Sequence, residues 1–416
     1  MDFIKTSKSA GVLLAYPLAF AYLKFFLLDF SGDFTVIKRV LFVLGFILMS
    51  VLIVRGRGRK LTKETYFWYA VMIIVALTSV TGISEPVSML GLHLCAVYTA
   101  VVSCSLMYEG KTGSYIAADL INAGVFKSFP GFLNMFSDMF NNSGRSGKKT
   151  DGTTVAVGIA AVLLVIPIFI TAVSLLCRIN LSFDVSVTRF LNSLTHVFNF
   201  KFFADNIGFI IFAVPVSMYL YGMLSSCASS DGAKEKTVYG KLSGIRESCR
   251  RITPILSTII TGCFVILYLV FFAFEGSYLF SAFAGRLPEE FTAAEYARRG
   301  FFELTGIMFI NMFVFVLSSF FAKRGRICSG MIIALMSESV VFASVSFSKL
   351  ALYYSRFGYT PKRLLAMWGT LIFAAGAVMV IYSIAKRRDM SRAWIYFTTA
   401  SFAAMSVLSS VLYLMI

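Results

Sequence analysis

Residues 252–274 read ITPILSTIITGCFVILYLVFFAF, and this stretch decides the fold. It holds no charged side chain over 23 positions. An apolar run of about 18 residues or more can cross the hydrocarbon core of a bilayer as a helix. In that medium the backbone must bond to itself, so a spanning segment is either a helix or part of a closed barrel. A barrel strand alternates apolar and polar residues over about ten positions. This stretch does not alternate, so it reads as a membrane helix.

Similar blocks recur on both sides of it. They predict eleven spans: 11–30, 38–54, 66–83, 87–108, 153–177, 206–227, 252–274, 295–321, 329–357, 361–384 and 393–415. Only 14% of the 416 residues are charged, 58% are hydrophobic, and the mean hydropathy is +0.80. A soluble domain is about a quarter charged. The expected fold is therefore all-α, a polytopic integral membrane helix bundle. Residues 1–140 are expected to form a four-helix N-terminal segment, 141–152 a polar Gly-rich linker, and 153–416 a seven-helix domain. Lys5, Lys8 and the Ala19-Phe20-Ala21 triplet resemble a cleavable signal. The apolar run continues past that triplet to Phe30, interrupted by Lys24 and, at its end, by Asp29, so a retained first helix is expected. Residues 114–140 carry Phe132, Met135, Phe136 and Phe140 at helical spacing and read as an interfacial helix, as do residues 185–203.

The net charge of +17 has its explanation in topology. With the N-terminus inside, the inner segments hold 25 Lys and Arg and the outer segments 11, which is the asymmetry that orients membrane proteins. This predicts a cytoplasmic N-terminus and an extracytoplasmic C-terminus. The partner expected is the lipid bilayer, with anionic lipid as a secondary partner at the basic runs Arg55–Lys63 and Lys234–Arg251. Nucleic acid is not expected. Cys95, Cys104, Cys177, Cys227, Cys249, Cys263 and Cys328 form no CxxC pair, and His93 and His196 stand alone, so neither a metal site nor a cofactor is predicted. No phosphate-binding Gly-rich loop, nucleophile elbow or zinc-protease motif occurs.

The residues that carry chemistry cluster between 288 and 364. Thr292-Ala-Ala-Glu295 fits a capping box that starts a helix. Along that helix Glu295, Arg299 and Glu303 share one face at four-residue spacing, and Asn311 lies about 12 Å further on at 1.5 Å per residue. The next helix returns with Glu338 near its middle and Lys349 about three turns later, followed on the same face by Tyr353 and Arg356. Counting residues from the hairpin puts Lys349 level with Glu303, and Glu338 level with Asn311. An ion pair between Glu303 and Lys349 is expected, because an isolated charge at this depth costs about 2.5–3.5 kcal/mol or more. Gly358 is expected to take the left-handed helix-ending conformation. Thr360-Pro361 should open the next helix, with Tyr359 and Arg363 beside Arg356.

Two stretches of this region resemble a known family. Residues 288–304, PEEFTAAEYARRGFFEL, are similar to the EYARRGFFEL signature of bacterial multi-pass membrane proteins grouped as domain of unknown function 4153 and 4173. Residues 346–364, SFSKLALYYSRFGYTPKRL, are similar to a later pattern of the same family. Lys349 stands where the family usually has Arg, which keeps the charge and loses the bidentate fork. The resemblance implies a polytopic bacterial plasma-membrane protein and carries no activity with it. From the residues, three functions remain open: transport or permeation through the charged cluster; a non-catalytic sensor or assembly partner; and a membrane enzyme that gathers a phosphorylated or lipid-linked substrate at Arg299, Arg356 and Arg363, with Glu295 or Glu303 as base.

Overall fold

A computed structural model describes residues 2–27, 35–79, 85–141, 185, 200–230, 232–285, 292–323 and 325–415. Among them the regular structure is helical. The helices are α1 (Asp2–Ala21), α2 (Thr35–Gly56), α3 (Lys63–Thr78), α4 (Glu85–Ser103), α5 (Ile116–Ile121), α6 (Ser128–Gly131), α7 (Asn134–Asn141), α8 (Phe200–Ser229), α9 (Gly232–Cys249), α10 (Pro254–Phe280), α11 (Ala293–Phe321), α12 (Arg326–Phe357), α13 (Pro361–Lys386) and α14 (Ser391–Met415). Nine helices among the described residues are long and apolar enough to cross a membrane, and they fall on nine of the eleven expected spans. The expected span at 66–83 is represented by α3 as far as Thr78, and residues 80–83 lie outside the described set. The expected span at 153–177, the 142–152 part of the linker and residues 186–199 also lie outside it.

The described residues fall into two compact units. One gathers Met1–Tyr69, Leu94–Leu106 and Ala118–Ser230; the other gathers Ala70–His93, Met107–Ala117 and Asp231–Ile416.

In the first unit α1 packs on α2 and α8. Lys24, the basic residue inside the first span, lies in the π-helical turn that continues α1. Its ammonium donates to Asn206 Oδ1 on α8 at 2.5 Å, so the charge that weakens this span in the sequence has a polar partner. Asp138 on α7 accepts from Arg57 and, at 2.8 Å, from the Tyr221 hydroxyl. Arg59 donates to the carbonyls of Cys104 and Ser230, just past the ends of α4 and α8. Helix C-termini leave carbonyls without partners and carry partial negative charge, so a guanidinium there satisfies both needs.

The stretch 114–140 departs from the single amphipathic helix expected of it. It is broken into α5, a π turn at Asn122–Lys127, α6 and α7. Met135 and Phe136 are buried, and α6 and α7 lie against α8. The helical run is interrupted just after Gly131, where the backbone of α6 touches the backbone of α8 at Gly222. Part of the apolar spacing thus serves packing against protein, while Ile121, Val125, Phe126 and Phe129 of the same stretch stay exposed.

In the second unit α10 to α14 form an up-and-down array. The links between α11, α12, α13 and α14 are three or four residues long, short enough to force antiparallel neighbours. The start of α10 and the end of α11 sit side by side, because Ile252 N–H donates to the Phe321 carbonyl at 3.0 Å and Lys323 N–H donates to the Ile252 carbonyl at 3.1 Å. Helix α12 is the hub and packs on α10, α11 and α13. Its buried side, with Leu335, Met336 and Phe342, joins Tyr268, Leu304 and Met308 in one apolar core.

Local signals set the helix starts. Thr253 caps α10 with Pro254 behind it, and Thr360 caps α13 with Pro361 behind it. Thr292 and Glu295 form a complete capping box at α11. Replacing Thr292 with Ala should cost about 0.5–2 kcal/mol, as N-cap losses do. A thermal melt of the purified protein that is unchanged by this substitution would show that the start of α11 is held by something else. Gly358 ends α12 with φ 70° and ψ −169°. This is a positive φ as expected, but not the left-handed helical conformation, because the chain must extend at once to place Thr360 as the next cap.

Candidate functional site

The polar residues of the second unit sort into three levels along the α10–α13 bundle. The deepest is a hydrogen-bonded chain between three helices. The Tyr268 hydroxyl on α10 donates to Asn311 Oδ1 on α11 at 2.9 Å. Asn311 Nδ2 donates to Ser339 Oγ on α12 at 2.8 Å. Ser339 in turn donates to the Leu335 carbonyl at 3.0 Å. Asn311 is fully buried and Tyr268 nearly so. Glu338, the residue before Ser339, is 7% exposed. Neither oxygen of its carboxylate has a hydrogen-bond partner among the described residues.

The second level belongs to Lys349, 1% exposed. Its stem crosses α11 at Gly300: a Cβ there would lie 2.5 Å from Lys349 Cδ and 3.0 Å from Nζ. The ammonium then rests 4.2 Å from the centre of the Tyr296 ring, a cation–π contact worth about 0.5–2 kcal/mol depending on desolvation. Tyr296 is itself held by a 2.7 Å hydrogen bond with Ser281. The Glu303 carboxylate acts on the ammonium electrostatically while accepting a hydrogen bond from Arg299 Nε at 2.9 Å. Glu303 and Arg299 are exposed.

The outermost level is the α12–α13 hairpin. Arg363 Nη1 donates to the carbonyls of Phe357 at 2.9 Å and Gly358 at 2.7 Å, and its guanidinium lies 4.2 Å from the Tyr353 ring centre. The Tyr359 hydroxyl donates to the Ser409 carbonyl at 2.8 Å. Arg356 is exposed, and Glu295 is engaged in the capping box.

The candidates singled out in the sequence therefore have different situations. Asn311 and Glu338 share a buried level, and Lys349 lies in a slot above them. Tyr353, Tyr359 and Arg363 fasten a turn. Four participants were missed in the sequence, two of them without any warning there. Tyr268 and Ser339 are ordinary residues within apolar runs. Tyr296 and Gly300 were readable: with Glu303 they lie at i, i+4 and i+7, one face of α11.

Long apolar helices with polar side chains enclosed between them define a multi-pass, all-α membrane protein. The chain belongs to the family described as Domain of unknown function (DUF4153), which matches residues 19–413. No curated protein and no solved structure matches the chain.

Proposed function

We propose that the protein is a permease-like transporter of the bacterial cytoplasmic membrane, with its N-terminus inside and its solute or ion path running past α12. One observation carries this reading: α12 holds two ionisable side chains, Glu338 and Lys349, that are both almost fully enclosed between apolar helices. Charges at membrane depth are expensive, and those that persist mark ion and substrate pathways or proton relays. The two lie eleven residues apart, about 16 Å along the helix, so a cation or anion moving past α12 meets opposite charges at successive depths. The asymmetry of basic residues supports the orientation. An enzyme that collects phosphate at Arg299, Arg356 and Arg363 has less support, since the Arg299 and Arg363 guanidinium groups already bond within the protein, which leaves the exposed Arg356.

The test is flux in proteoliposomes. Purified protein is reconstituted, a potassium diffusion potential is imposed, and ion movement is followed with an internal pH dye and a potential-sensitive dye. Movement above protein-free vesicles is expected, and Glu338→Gln and Lys349→Met are each expected to abolish it at equal protein content. Variants as active as the parent protein would release these side chains from the path. Parent vesicles that behave like empty ones would remove the transporter reading.

A further inference from the structure

The Tyr268–Asn311–Ser339 chain has already used its hydroxyl hydrogens. Tyr268 donates to Asn311, and Ser339 donates to the Leu335 carbonyl. One amide hydrogen of Asn311 is committed to Ser339. What the group still offers is the second amide hydrogen of Asn311 and oxygen lone pairs on Asn311 Oδ1, Tyr268 Oη and Ser339 Oγ. Beside them sits a carboxyl group, Glu338, that no described residue hydrogen-bonds. A carboxylate removed from water needs a compensating charge or a set of donors. Among the described residues, the charged side chains of the packed helices do not lie at this level. Glu275 is two turns along α10 from Tyr268; Arg299 and Glu303 precede Asn311 by two turns or more. Lys362 and Arg363 open α13 and Lys386 closes it, while Arg326 and Lys349 lie about 16–18 Å away along α12 itself.

We propose that Glu338, with Asn311, Tyr268 and Ser339 beside it, is a binding site for one small monovalent cation, either a proton or Na⁺. Both satisfy the same chemistry. A proton turns the carboxyl into a donor that the neighbouring lone pairs can accept, and Na⁺ is a hard cation that a carboxylate and neutral oxygens can surround. The purpose of the site, as the place of the coupling or permeating ion, rests on the transporter reading; the binding itself does not.

Carbodiimide labelling of the full chain in detergent tests this. Dicyclohexylcarbodiimide reacts with protonated carboxyl groups in apolar surroundings, and the adduct on the peptide containing Glu338 is measured by mass spectrometry. The titration runs from acid to alkaline pH, in NaCl and in choline chloride of equal ionic strength. An adduct that falls at least about tenfold as pH rises, equally in both salts, assigns the proton. An adduct that Na⁺ suppresses at fixed pH, where choline does not, assigns Na⁺. Absence of the adduct at every pH in both salts, or an adduct indifferent to pH and to Na⁺, overturns the proposal. Tyr268→Phe keeps the ring that packs edge-on against Phe342 at 5.1 Å and removes one of the oxygens. It is expected to shift the pH midpoint or weaken Na⁺ protection, and an unaltered profile counts against the site. Vesicles without flux from a protein that still shows the ion-sensitive adduct would reject transport and keep the binding site; flux without the adduct would do the reverse.

Discussion

Gly131→Ala is expected to lower the stability of the purified protein by about 1–3 kcal/mol or more, the range seen when atoms are forced into a packed interior. A Cβ at Gly131 would lie 2.5 Å from the Gly222 carbonyl oxygen and 2.9 Å from its carbon, and would collide with Ser226 Oγ. A Cβ at Gly222 would in turn lie 2.7 Å from the Gly131 carbonyl carbon. These obstacles are backbone, which cannot rotate aside as a side chain can. The substitution must push α6 away from α8. That separation would stretch the two hydrogen bonds from Asn134 Nδ2 to Ser225 and Ser226, at 3.1 and 3.0 Å. Paired small residues are how membrane helices gain such close approach. Gly222→Ala should cost a similar amount, and the double variant less than the sum, because the helices need to part only once. Thermal unfolding followed by tryptophan fluorescence measures all three. A Gly131→Ala protein with an unshifted midpoint would show that α6 and α8 do not meet through their backbones.

How much of this was readable in advance depended on the range of each interaction. The spans were legible because the bilayer imposes a length on any helix that crosses it, and α10, with no charge from Pro254 to Phe274, meets that demand without help from its neighbours. The capping box at Thr292 was legible because both partners lie within one turn. The common level of Asn311 and Glu338 followed from counting residues out from a short hairpin, and the Asn311–Ser339 hydrogen bond lies at that level. Contacts set by how two helices face each other were not legible. Nothing local distinguishes Gly131 and Gly222 from the other glycines. Tyr268 looked like one more aromatic in an apolar run until α10 was rotated to face α11. For 114–140 a correct apolar spacing led to the wrong continuity, since the same stripe suits a lipid surface or a neighbouring helix.

Lys349 and Gly300 are expected to behave as one unit. Gly300→Ala places a methyl group 2.5 Å from Lys349 Cδ and 3.3 Å from Cε. A lysine stem is flexible, but this one is 1% exposed and enclosed by protein, so it can yield only by shifting against its neighbours. Either the ammonium leaves the Tyr296 ring or α11 and α12 move apart. The expected loss is about 1–3 kcal/mol. In a Lys349→Ala background the obstacle is gone, so the same Gly300→Ala change should cost much less, with a coupling of about 0.5–3 kcal/mol between the two positions. Lys349→Ala alone is also destabilising, because it removes the stem packing and the cation–π contact, so the evidence lies in the cycle and not in either single variant. Energies that add to within about 0.3–0.5 kcal/mol would mean that the two positions are independent. In that case Gly300 has no part in holding the ammonium at its level, and the placement of Lys349 on α12 must come from the ring of Tyr296 and the field of Glu303 alone.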